Sequence, residues 1–173
     1  MNTTQTLTST RRIAIAAVMI AAVAVFTLFI VIPVGTGFFN FSDVAIYFAA
    51  FAFGPWVGLV AGGVGAALAD ISLGYSQFAI LTFFAHGLEG LIAGYLGKNQ
   101  PLSRMLLAWA AGTIVMVGIY FVGEYAVPAV WGGPPQALTE WPFNILQNVA
   151  GGVVGIPLVL AVRRAYPPIS RMA

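Results

Sequence analysis

Residues 13–33 read IAIAAVMIAAVAVFTLFIVIP, a run with no charged side chain. A helix needs about 20 apolar residues to cross the hydrocarbon core of a bilayer, and this run supplies them. Thr10-Arg11-Arg12 stand before it and could be taken for part of an export signal. The run is too long for a signal core, no small-residue cleavage site follows, and five further apolar segments come after it. We read it as the first transmembrane helix.

Working outward, the same period recurs. A short second segment covers about 43–53 and is broken by Gly54-Pro55, because proline cannot donate and crowds the preceding turn. A third covers 56–73 and ends at Gly74-Tyr75-Ser76. A fourth covers 77–96 and stops at the polar linker Gly97-Lys98-Asn99-Gln100-Pro101. A fifth covers 105–127. After a Pro/Gly-rich stretch over 128–142, a sixth covers 142–162. The expectation is an all-α membrane protein: a six-transmembrane-helix bundle in one membrane domain over 1–173, with tails at 1–12 and 163–173. Five helices plus a re-entrant segment is the rival count, since the boundary between the second and third segments is the weakest.

Composition agrees. Of 173 residues, 60% are hydrophobic and 7% charged, and the mean hydropathy is +0.95. Soluble chains carry roughly a quarter charged residues, so most soluble enzymes, nucleic-acid binders and secreted scaffolds are excluded. The absence of cysteine removes disulfides and thiolate chemistry.

The bases give the orientation. Arg11 and Arg12 precede the first helix, Lys98 and Arg104 flank the linker after the fourth, and Arg163, Arg164 and Arg171 follow the sixth. With both termini cytoplasmic, all 7 Lys and Arg fall on cytoplasmic pieces, as the positive-inside rule requires. The chain is therefore expected to be a multi-pass protein of a prokaryotic plasma membrane.

Ionisable groups inside a membrane are functional candidates by default. Asp43 reads as a charge favoured by the start of the second helix, with Ser42 as its cap. Glu140 reads as a solvated loop charge. Asp70, His86, Glu89 and Glu124 have no such explanation. Four stripes carry the polar groups: Gly58, Gly62, Ala66 and Asp70; His86, Gly90 and Gly94, with Glu89 beside them; Gly112, Met116, Tyr120 and Glu124; and Asn144 and Asn148 above Gly151 and Gly155. Each is small on its inner half, which suits close helix packing, and polar or aromatic on its outer half. Four stripes agreeing in depth predict a cavity open to the outside. The glycine-flanked segment Gly37-Phe38-Phe39-Asn40 is suited to be a gating loop over it. With no Lys or Arg nearby, a neutral or cationic flat ring suits the cavity better than an anion. No Walker A sequence, H-E-x-x-H or Gly-x-Ser-x-Gly occurs. No catalytic residue and no cofactor are expected, and a lone histidine argues against a metal site.

Taken together, Phe38-Phe39-Asn40-Phe41-Ser42-Asp43, Phe53-Gly54-Pro55-Trp56-Val57-Gly58, the run from Gly62 to Asp70 and Gly87-Leu88-Glu89-Gly90-Leu91-Ile92-Ala93-Gly94 resemble S components of energy-coupling factor (ECF) vitamin transporters. The resemblance spans nearly the whole chain and is strongest over 37–97. It implies a small membrane subunit that binds a vitamin or related micronutrient at the outer face, and an ATP-driven importer completed by a membrane scaffold subunit and two cytoplasmic ATPases. It implies scaffold contact through an Ala-x-x-x-Ala pattern, matched by Ala17 and Ala21. It implies Asn40, Glu89, Tyr120, Glu124, Trp131, Asn144 and Asn148 as ligand contacts, with His86 and Asp70 behind them. Relatives often carry a lysine near the position of His86, and its absence here points away from folate, biotin or pantothenate and toward thiamine-, pyrimidine- or pyridoxine-like cargo. The alternatives are an ion-coupled secondary transporter using His86, Glu89 and Asp70, or a non-transporting membrane assembly factor.

Overall fold

The computed structural model describes residues 3–172. Residues 1–2 and 173 of the two expected tails lie outside the described residues, as does the side chain of Arg171. Six principal helices run in the order α1 (Thr3–Phe29), α2 (Ser42–Phe53), α3 (Pro55–Leu73), α4 (Ala79–Gly97), α5 (Leu102–Ala126) and α7 (Gly133–Ala165), with a one-turn α6 (Pro128–Trp131) before the last. Five of them are long and apolar enough to cross a membrane: α1 from Thr10, α3, α4, α5 and α7. The helix α2 has 12 residues, about 18 Å at 1.5 Å per residue, too short to cross alone. It packs instead against α1, α3, α4 and α7. Its side chains are buried on every face, which is why its sequence shows no polar side.

Three boundaries differ from the sequence reading. The first helix begins at Thr3, inside the expected tail, and ends at Phe29 rather than Pro33. Pro33 has no N–H to continue a helix. Residues Ile32–Val34 (β1) instead pair antiparallel with Gly37–Phe39 (β2), in the register Ile32 to Phe39 and Val34 to Gly37. Gly35 turns this hairpin with φ 57°. The last helix starts at Gly133, nine residues before the expected Pro142. Pro134 and Pro135 had suggested a loop, yet they sit in its first turn, where a missing N–H costs nothing. Pro142 and Pro157 lie inside it.

Glycines set the helix spacing. A side chain on Gly58 would strike the Gly90 backbone, one on Gly62 the His86 carbonyl, and one on Gly94 would come within 2.7 Å of Pro55. The α3 and α4 stripes are thus one interlocked seam. The α5 stripe is likewise buried from Ala108 through Gly112, Met116 and Tyr120 to Glu124. At the basic end, the Lys98 amine donates to the Phe53 carbonyl (3.3 Å) and Arg163 Nη2 to the Phe51 carbonyl (2.7 Å). Both cap the last turn of α2.

Overpacking a tight interior costs about 1–3 kcal/mol. Gly90→Val is therefore expected to lower the thermal unfolding midpoint in detergent clearly. Gly118→Ala, where a new Cβ meets nothing within 4 Å, is expected to leave it unchanged or slightly raised.

Candidate substrate-binding site

At the end of the bundle away from the bases, the seams open into a cavity of about 410 Å³, counting the space at its mouth. The α3–α4 seam contributes Ala66, Asp70, Thr82 and His86. Tyr120 comes from α5, and Glu140, Asn144 and Gln147 from α7. The hairpin side is closed by Gly37, Phe38 and Asn40. No Lys or Arg lines it.

The hairpin is fastened to α7 by side chains at positions 136, 140 and 147. Gln136 Oε1 accepts the Thr36 N–H (2.9 Å), and Gln136 Nε2 donates to Glu140. The Gly37 N–H points at the Glu140 carboxylate. Gln147 Oε1 accepts the Asn40 N–H (3.0 Å), and Asn40 Oδ1 accepts the Ser42 N–H (2.7 Å). The Phe38 ring lies 4.8 Å from that of Tyr75, and Phe39 meets Phe41 edge to face. Across the cavity, the Tyr120 hydroxyl donates to Thr82 (2.8 Å).

Behind the cavity floor lies a charged centre. His86 Nδ1 sits 2.8 Å from Glu89 Oε2 and 3.2 Å from Asp43 Oδ1. Asn148 Nδ2 donates to the other Glu89 oxygen (2.9 Å). Asn148 Oδ1 accepts from the Tyr47 hydroxyl and from Thr113 (2.7 Å), and the Asn148 carbonyl accepts from Trp109 Nε1 (3.0 Å). Four helices, α2, α4, α5 and α7, are joined at that one residue. One ligand atom each from Asp43, His86 and Glu89 fall within 4.8 Å of one another, a spacing that a cation could bridge. His86 is the lone histidine of the sequence, and the fold brings two carboxylates to it.

Several expected roles change. Ser42 is not the cap of α2, since Phe41 holds that position without a side-chain bond; Asp43 stands in the first turn as expected, but fully buried against His86. The cause is tertiary, because Gly151 lets α7 pack directly on Asp43. Glu140 is not a loop charge but a buried residue of α7 that lines the cavity. Of the expected ligand contacts, Asn40, Tyr120 and Asn144 line the cavity. Glu89 and Asn148 stand behind it, while Asp70 and His86, expected behind, are at its wall. Glu124 is fully buried, faces Glu140 and has no hydrogen-bond donor among the described residues. Trp131 does not line the cavity; its Nε1 donates to the Gln77 carbonyl (2.7 Å), tying α6 to the turn before α4. Of the gating residues, Gly37 and Phe38 reach the cavity and Phe39 does not. Ala17 and Ala21 lie exposed on α1, outside it. Thr82 and Gln136 went unnoticed in the sequence. The spacing 136–140–144–148 would have revealed the α7 face, had the prolines not hidden that helix.

Known proteins share this architecture. Residues 7–164 match the family profile described as "ECF-type riboflavin transporter, S component". A protein of Pyrococcus woesei, described only as an uncharacterised protein in a gap 3′ region, is 39% identical over 151 residues, covering 86% of this chain and 99% of that one. The "Thiamine precursor transporter HmpT" of Lactococcus lactis subsp. cremoris is 32% identical over 122 residues, covering 70% of this chain and 68% of that one. A solved structure described as "Structure and mechanism of the S component of a bacterial ECF transporter" superposes with a TM-score of 0.74 at 22% identity, covering 91% of this chain and 98% of that one. At that identity the likeness shows the fold. The chain therefore belongs to the ECF-type riboflavin transporter S component family: it is a substrate-binding transporter subunit rather than an enzyme, and a multi-pass protein of a prokaryotic plasma membrane.

Proposed function

We propose that this subunit captures a single-ring, nitrogen-rich micronutrient, neutral or cationic, of the thiamine, pyrimidine or pyridoxine type. The observation that carries this is the cavity wall. Two carboxylates, two amides from α7, Asn40 and Thr82 line it, with no Lys or Arg. Such a wall accepts N–H and O–H donors and a ring of positive charge, and offers an anion no side-chain base except His86. That the Lactococcus relative is named a thiamine precursor transporter supports this reading.

Uptake is driven by a membrane scaffold subunit and two cytoplasmic ATPases. No nucleic acid takes part. Ala17 and Ala21 lie one helical turn apart on the exposed side of α1, where small residues allow a second helix to approach closely. They form the scaffold contact.

Tryptophan fluorescence titration against a panel of B vitamins and their precursors tests the assignment. Submicromolar binding of an aminopyrimidine or pyridoxine compound is expected. Tight binding of riboflavin with none of the single-ring compounds would overturn it. Hydrogen bonds to charged groups are worth about 1.5–3 kcal/mol, so Glu140→Gln is expected to weaken binding by roughly 10- to 100-fold with little change in melting temperature.

Asn148→Ala is expected to do the reverse. It strands Glu89 Oε1, at about 1–3 kcal/mol for a buried unsatisfied group, and leaves the Tyr47 and Thr113 hydroxyls only the Trp109 carbonyl to donate to. The unfolding midpoint should fall markedly, while the affinity of the protein that remains folded changes less than in Glu140→Gln.

A further inference from the structure

We infer that Glu124 is a positioning residue: it carries a proton and donates it to Glu140, so that the pair holds a single negative charge and aims it at the cavity. What the pair does to binding rests on the reading of Glu140 as a cargo contact. The proton itself does not.

Glu124 ends the buried stripe of α5, one turn beyond Tyr120. Beside it, a Cβ on Gly123 would come within 2.5 Å of the Leu81 side chain, so α5 lies tight against α4 at this level. Glu124 is fully buried, and neither of its carboxyl oxygens meets a donor among the described residues. Buried polar atoms without a partner are rare in folded proteins, and an ionised one is costlier still.

Glu124 faces the carboxyl of Glu140 on α7, within hydrogen-bonding reach. The other titratable groups turned toward the pair are Asp70 of α3 and Tyr120 of α5. None of these is a base. Two carboxylates that face each other in the interior cannot both ionise. One proton between them removes the repulsion and gives Glu124 the partner it lacks, since a protonated carboxyl has one O–H to donate.

The surroundings decide which residue keeps the proton. Glu140 accepts from Gln136 Nε2, and the Gly37 N–H points at it. Such donors favour the ionised form. Glu124 has none, so the proton stays on Glu124 and Glu140 is the anion. Hydrogen bonds from O–H to a carboxylate are short and strong. Glu124 therefore fixes the rotation of the carboxylate that lines the cavity, from the side opposite the hairpin.

Infrared difference spectroscopy of the ligand-free protein at neutral pH tests the proton without any cargo. Glu124→Gln is expected to remove a protonated-carboxyl band, one that moves to lower frequency in heavy water. Glu140→Gln is expected to remove a carboxylate band and leave the acid band standing. Loss of a carboxylate band alone in Glu124→Gln, or loss of the acid band in Glu140→Gln, would overturn the proposal. The second readout is the affinity for thiamine or pyridoxine, whichever the unsubstituted protein binds. Glu124→Leu, which cannot donate, is expected to weaken it about tenfold, and Glu124→Gln, whose amide still donates, to restore most of that loss. Should Glu124→Leu not melt cooperatively, Glu124→Met takes its place. Equal loss in the donating and non-donating variants, or no loss in either, would also overturn the proposal. Binding of neither compound would count against the cargo reading alone, and the infrared spectra would still decide this one.

Discussion

The contact of one imidazole nitrogen with two carboxylates is the constraint around which the bundle is arranged. His86 Nδ1 reaches Glu89 on its own helix and Asp43 on α2, all three buried. Ionisable groups at this depth are costly unless they meet one another. Their meeting requires α2 and α4 to approach closely, and α7 to leave room at Gly151 for the base of Asp43. The glycine seam between α3 and α4 then brings Asp70 and Thr82 to the same wall as His86. Asn148 extends the arrangement to α5 by holding Glu89 with one end of its amide and Tyr47 and Thr113 with the other.

This centre divides the molecule by task. Its outer side carries the cavity and the hairpin that α7 holds by Gln136, Glu140 and Gln147. Its inner side carries apolar packing and the basic rim, where Lys98 and Arg163 fasten the end of α2. Glu140 belongs both to the cavity wall and to the fastening of the hairpin. A ligand that engages Glu140 would therefore act on the cover of its own site.

Much of this was legible in the sequence, for identifiable reasons. Charge-free runs mark spans because a bilayer tolerates little else, and bases mark one side. Glycines at four-residue spacing mark seams because only one face of a helix meets its neighbour. What failed were the inferences drawn from local chemistry. Pro134, Pro135 and Pro142 suggested a loop, yet two of them start a helix, and so Glu140 was read as a solvated loop charge. Asp43 beside Ser42 looked like a helix start, and only the packing of α4 and α7 turns it inward. Which of two adjacent faces meets the cavity was not legible, because Glu89 and His86 differ by less than one turn and only the arrangement of neighbouring helices separates them.

The most direct test is the thermal unfolding midpoint of His86→Leu beside that of the triple variant Asp43→Asn/His86→Leu/Glu89→Gln. Removing one partner from a buried charged cluster costs about 3–5 kcal/mol, whereas replacing the whole cluster by neutral groups costs far less. If the centre organises the bundle, His86→Leu melts far below the unsubstituted protein and the triple variant recovers much of the loss. A His86→Leu protein that melts with the unsubstituted one would contradict the account.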